Sequence, residues 1–217
     1  MGFEKDQISD FLAKLASSSA VPGGGGAAAL ASALSAALNS MVFNLTIGKK
    51  GYDNLNKEEQ ENVEKALEYS TLKLQDFQKF INKDGEAFST LMESYRLPKN
   101  SDEEKEHRRK MISEGLYNAM MVPYSLMKET VELMEHILTA AKFGNSNVIS
   151  DAGVSAMLAY SAVESCMLNV MINYKALKDE KYKEVENESI ALVFKAENLK
   201  NEIMNIVYEK IMGYKKN

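Results

Sequence analysis

Residues 16–52 read ASSSAVPGGGGAAALASALSAALNSMVFNLTIGKKGY. After the four glycines no charged residue occurs until Lys49. Leu30, Leu34, Leu38, Met41 and Leu45 recur at steps of three or four, the spacing of one helix face. The other faces carry Ala28, Ser32, Ala36, Asn39, Phe43 and Thr46, which are mostly small. A helix that is apolar or small all round is buried on all sides. The spacing therefore predicts a central helix over 27–47, stopped by Gly48, with other helices packed around it and a symmetry mate as a further neighbour.

The glycine run calls for its own explanation. Each glycine costs roughly 0.5–1 kcal/mol relative to Ala in regular structure. A chain that keeps four in a row needs either unusual backbone angles or close approach of the backbone to something. Placed before a helix, Pro22, Gly23, Gly24 and Gly25 read as a loop whose free N–H groups and helix dipole favour an electron-rich ligand. The alternative is a tight turn packed on a neighbouring helix. The run lacks the Lys and Ser/Thr of a phosphate-binding Walker loop, and no strand precedes it as a dinucleotide fingerprint requires.

The rest of the chain points to helices throughout. There are three prolines in 217 residues, and no stretch alternates like a strand. The length suits one domain, 1–217, with a sizeable core. Hydrophobic residues make up 45% and charged residues 26%, an ordinary soluble composition. A net charge of −5 argues against nucleic acid as a partner. The lone Cys166 excludes an internal disulfide framework and fits a reducing, cytoplasmic setting. The 27–47 segment is long enough to span a membrane, but its serines, asparagines and alanines argue against that role. The expected architecture is all-α, a single-domain bundle of about six long helices around the Ala/Leu-rich one.

Taken in order, residues 3–15 form a short amphipathic helix. Asn56 and Glu59 make a capping box for a long helix reaching Tyr95, and Ser101 and Glu104 make another. Pro123 should kink or restart the second of these. A turn at 143–147 leads to a helix with Ala152, Ala156, Ala159 and Ala162 on one face, which suits close packing on the small face of 27–47. A last amphipathic helix covers about 185–212. His107 and His136 have no second ligand at metal-binding spacing, so no metal site is expected.

Two acids stand out. Asp84 precedes Gly85 inside the long helix, where neither residue helps the helix. Asp151 opens the alanine-faced helix and either caps it or serves a ligand. Lys49 and Lys50 form a basic pair that either complements a helix C-terminus or holds an anionic ligand tail.

Three stretches together carry a resemblance: Pro22-Gly23-Gly24-Gly25 leading to MVFNLTIGKKGY; KDGEAFSTLMESYRLPKNSDEEKEHRR; and GNSNVISDAGVSAMLAYSAVESCMLNVMIN. Their order and spacing, over about residues 5–212, resemble the formiminotransferase-cyclodeaminase C-terminal family, which includes stand-alone methenyltetrahydrofolate cyclohydrolases. Gly26 stands where the family usually has Ser, and Gly51 where another basic residue is common. The resemblance implies an all-helical homodimer and a tetrahydrofolate substrate, with no further cofactor. The resemblance does not choose the reaction; methenyltetrahydrofolate cyclohydrolysis is the first expectation because the chain stands alone, and no formimino transfer is expected of it. The alternatives are the ammonia-releasing cyclodeaminase and a folate-binding scaffold without turnover. On that reading Asp84 and Asp151 are the catalytic candidates. Pro22, Gly23, Gly24, Gly25, Lys49, Lys50, Asn145 and Asn147 are the substrate-binding ones.

Overall fold

The computed structural model describes residues 2–213, and no strand occurs among them. A 3-10 turn at Phe3–Lys5 leads to α1 (Ile8–Leu15). The long elements are α2 (Gly24–Asn44), α4 (Lys57–Arg96), α5 (Asp102–Phe143), α6 (Ile149–Leu177) and α7 (Lys183–Met212), with a one-turn α3 (Lys50–Asp53) after α2. The starts of α4 and α5 follow the local sequence. The side chains of Asn56 and Ser101 accept from the backbone of Glu59 and Glu104, and those glutamates reach back to the cap N–H groups.

Against α2, both α4 and α6 run antiparallel. Gly24 of α2 lies beside Asn169 of α6, while Ser35 lies beside Ser155, so successive positions run in opposite directions. The small face of α6 meets the small face of α2 as the alanine spacing predicts: Ser35 and Ser155 each donate to the other's carbonyl, at 2.9 and 2.8 Å. On another side Ser32 and Thr130 share a hydrogen bond of 2.8 Å, and Asn39 donates to Ser70 at 2.9 Å. These buried polar pairs fix register between helices that hydrophobic packing alone leaves free to slide; each is worth about 1 kcal/mol net. Lys210 of α7 caps the end of α5, donating to the carbonyls of Ala141 and Lys142.

Three expectations change. The glycine run is not a loop: Gly24, Gly25 and Gly26 form the first turn of α2, with Gly23 as its N-cap. Pro123 does not restart a helix, and α5 is continuous through it. A proline there leaves the Ala119 carbonyl without its intrahelical donor, and the side-chain amide of Asn173 supplies one at 3.1 Å. Finally, α2 is enclosed by α4, α5 and α6 but one side stays open. Leu34, Met41 and Leu45, with Val154 and Met157 of α6, are 37–50% exposed. α2 and α6 are also long and apolar enough to cross a membrane by length and composition, yet both give their small faces to the bundle core.

Candidate active site

Where the start of α2 meets α4 and α6 there is a cavity of about 430 Å³, in the range of small-molecule sites. Its inner wall is the turn Gly23, Gly24 and Gly25 with Ala20 and Val21 before it. One side is a stripe of α4, from Asp84 through Phe88, Leu91 and Met92 to Tyr95. The other is α6, with Asn169, Ile172, Asn173 and Ala176, and α5 closes the floor with Leu116 and Ala119. The α4 stripe spans eleven helical steps from Asp84 to Tyr95, about 16 Å at 1.5 Å per residue. The groove thus has an acid at its inner end and aromatic and aliphatic side chains along its length.

The position of Asp84 explains Gly25. A Cβ on Gly25 would lie 2.0 Å from Oδ1 and 2.4 Å from Cγ of Asp84. No side chain fits there, so the carboxylate lies directly against the α2 backbone. Burial pushes the Asp84 pKa up, and the Gly26 N–H, which donates to the carboxylate, opposes that shift. No ion pair of Asp84 occurs among the described residues. The half-buried carboxylate, with no ion-pair partner among the described residues, therefore holds its proton more tightly than an ordinary aspartate, the direction that suits a proton-transfer group. Behind it, buried Cys166 has its thiol pushed far up by burial and by the Asp84 charge, so it stays a neutral thiol.

Of the residues singled out from the sequence, Gly23, Gly24, Gly25 and Asp84 line this one cavity. Pro22 is buried beside it, 3.3 Å from where a Gly26 Cβ would be. The others do not join them within one chain. α2 is 21 residues, about 30 Å, and Lys49, Lys50, Asn145 and Asn147 lie beyond its far end. The two lysines are thus not beside the glycine turn of their own chain, because a straight helix separates them. There Lys49 and Asn145 share a smaller cavity of about 280 Å³ with Thr46, Tyr52 and Lys142. Asn145 is committed to structure. It donates from its backbone to Thr46 Oγ1 and from Nδ2 to the Leu45 carbonyl, and its Oδ1 accepts from Asn147 N–H. Asp151 lies in the first turn of α6. It is 18 residues from Asn169, so about 27 Å of helix separates it from the cavity.

Sequence reasoning missed Asn169 and Asn173. The signal available was weak: two asparagines four apart, on one face of an otherwise apolar stretch. Their relation to Pro123 and to the glycine turn is not visible without the tertiary structure.

Comparison with known proteins bears on the same surfaces. The formiminotransferase-cyclodeaminase family profile matches residues 7–191. The methenyltetrahydrofolate cyclohydrolase of Methylorubrum extorquens is 41% identical over 207 residues, covering 95% of this chain and 98% of that protein. The formimidoyltransferase-cyclodeaminase of Mus musculus is 32% identical over 83% of this chain, which spans 33% of that protein's length. Among solved structures, the formiminotetrahydrofolate cyclodeaminase of Thermotoga maritima superposes with a TM-score of 0.78 at 26% identity, covering 97% of this chain and 98% of that one.

Proposed function

This chain belongs to the formiminotransferase-cyclodeaminase family, and on that premise we propose that it is a methenyltetrahydrofolate cyclohydrolase. The observation that carries this reading is the 41% identity to a cyclohydrolase of similar length, aligned over 95% of this chain and 98% of that protein. The cavity suits such a substrate. A pteridine can sit at the glycine turn, and the aminobenzoyl ring can lie along Phe88, Met92 and Tyr95. In the reaction, water adds to the cationic methenyl carbon and gives up a proton, and the bond from that carbon to N5 then breaks. N5 takes up a proton, the carbinol hydroxyl gives its own proton to solvent as the formyl C=O forms, and 10-formyl-tetrahydrofolate leaves. Asp84, at the inner end of the cavity, would receive a proton from water and return it to N5. Its negative charge also favours the cationic substrate before attack.

A second reading, formimidoyltetrahydrofolate cyclodeaminase, is favoured by the likeness to the Thermotoga maritima structure. The same carboxylate would then move a proton to the departing ammonia. Two assays on one preparation separate the readings. Loss of methenyl absorbance without ammonia release from formimino-folate supports the first; the reverse supports the second. Neither activity, with folate still bound, would leave a binding scaffold.

We further propose a cytoplasmic homodimer. The open stripe of α2 and the adjacent exposed side of α6 are apolar, and twofold dimers are the commonest assembly. A twofold axis perpendicular to α2 and beside its middle sets the two copies of α2 antiparallel. The end that carries Lys49, Lys50, Asn145, Asn147 and Asp151 in one subunit then lies across the glycine turn of the other. That assembly is how Asp151 would come to hold the substrate cation and the lysines its glutamate tail.

A further inference from the structure

The Asn173 amide is held in one orientation. Its Nδ2 donates both hydrogens to carbonyl oxygens, those of Asn169 at 2.9 Å and Ala119 at 3.1 Å. Reversing the amide would set its oxygen against both carbonyls, so the assignment of N and O follows from the partners. The Ala119 carbonyl is open because Pro123, four residues on, has no N–H to give it. Asn169 is fixed similarly, with Nδ2 donating to the Ser165 carbonyl at 2.7 Å, and its amide lies 3.6 Å from where a Gly24 Cβ would be. Both donors of the Asn173 amide are spent on backbone, and one of the two on Asn169 is. Asn173 Oδ1 has no donor among the described residues and remains an acceptor in a cavity wall.

We propose that Asn173 reads the 2-amino group of the reduced pteridine, as a positioning residue latched in place by the carbonyl that Pro123 releases. The inference rests on the folate reading above. The pteridine edge presents a 4-oxo acceptor followed by the N3–H and 2-amino donors. The first-turn N–H groups of α2 suit its 4-oxo oxygen, and Asn173 Oδ1, on the facing wall, suits the amino group. The fixed polarity of the amide discriminates: a ring lacking that donor leaves a desolvated acceptor unpaired, which costs more than an absent contact.

The test compares tetrahydrofolate with its 2-desamino-2-methyl analogue as competitive inhibitors of methenyltetrahydrofolate turnover. Wild type should bind the analogue about tenfold more weakly. Asn173→Ala should bring the ratio of the two inhibition constants toward one, raising the constant for tetrahydrofolate and lowering that for the analogue, whose unpaired acceptor is gone. Pro123→Ala keeps Asn173 but returns a donor to the Ala119 carbonyl, so it should lower the ratio severalfold while holding or raising the melting temperature. If Asn173→Ala does not fold, the Pro123→Ala ratio decides. A wild-type ratio near one, or a ratio unchanged in the variants, overturns the proposal while leaving cyclohydrolase function standing. Failure of wild type to turn over methenyltetrahydrofolate instead overturns the functional reading itself.

Discussion

Gly25→Ala adds one methyl group, and the structure says where it goes. Its Cβ would sit 2.0 Å from Asp84 Oδ1, 2.4 Å from Cγ and 2.7 Å from Oδ2. Ordinary contact begins at 3.4 Å, so the carboxylate must retreat by about 1.4 Å, well up the repulsive wall of the contact. Because Cγ is itself in conflict, a small swing of the oxygens does not relieve it and Asp84 must leave its rotamer. The backbone at Gly25 is helical, so alanine there gains up to about 1 kcal/mol of helix propensity. The clash and the propensity gain oppose each other in stability, but nothing offsets the clash in catalysis. A misplacement of about 1 Å costs about 10²-fold in rate. The expected outcome is a fall in kcat of about 100-fold or more, followed by methenyl absorbance, with a cooperative melt near the wild-type temperature. In an Asp84→Asn background the same change should add little further loss, because both act on one carboxylate. A Gly25→Ala enzyme within threefold of wild-type kcat would refute the reasoning, since the acid would then not need its place on the α2 backbone.

Asp84→Asn alone should lower kcat by about 10²–10⁴-fold with a smaller change in KM. Burial raises the Asp84 pKa in the folded state, so ionisation costs folding stability, and that cost grows as pH rises through the folded pKa. The Asn variant should therefore melt no lower than wild type at pH 8, and its advantage should vanish below the carboxylate range; a lower melt at pH 8 would mark Asp84 as a structural partner. Mixing Asp84→Asn with Asp151→Asn subunits, each inactive or weak alone, should restore about a quarter of wild-type activity if sites are shared across a twofold dimer. No recovery after exchange of subunits, or a monomer by light scattering, would count against that assembly. Lys49→Ala with Lys50→Ala should raise KM for a polyglutamylated folate more than for the monoglutamate, by a modest factor because exposed charge contacts are worth about 0–1 kcal/mol. Equal effects would return both lysines to a structural role at the start of α3.

Several features were determined by sequence alone because they depend on neighbours in the chain. The capping boxes at Asn56 and Ser101 join residues three apart, and they start α4 and α5 where local chemistry places them. The alanine spacing of α6 and the small residues of α2 share a helical period, which made their contact legible before any coordinates. Asp84 and Gly85 could be marked as misfits in a helix, and three motifs in order carried the family. What remained undecided was everything that depends on residues far apart in the chain. Gly25 carries no side chain because Asp84, some sixty positions later, fills the space a Cβ would take. Pro123 does not break α5 because Asn173 replaces the missing hydrogen bond. Asp84 and Asp151 both read as site acids, but helices are rigid rods with a fixed rise of about 1.5 Å per residue. Sequence motifs set which residues matter, and the length and direction of α2 and α6 decided which of them could meet.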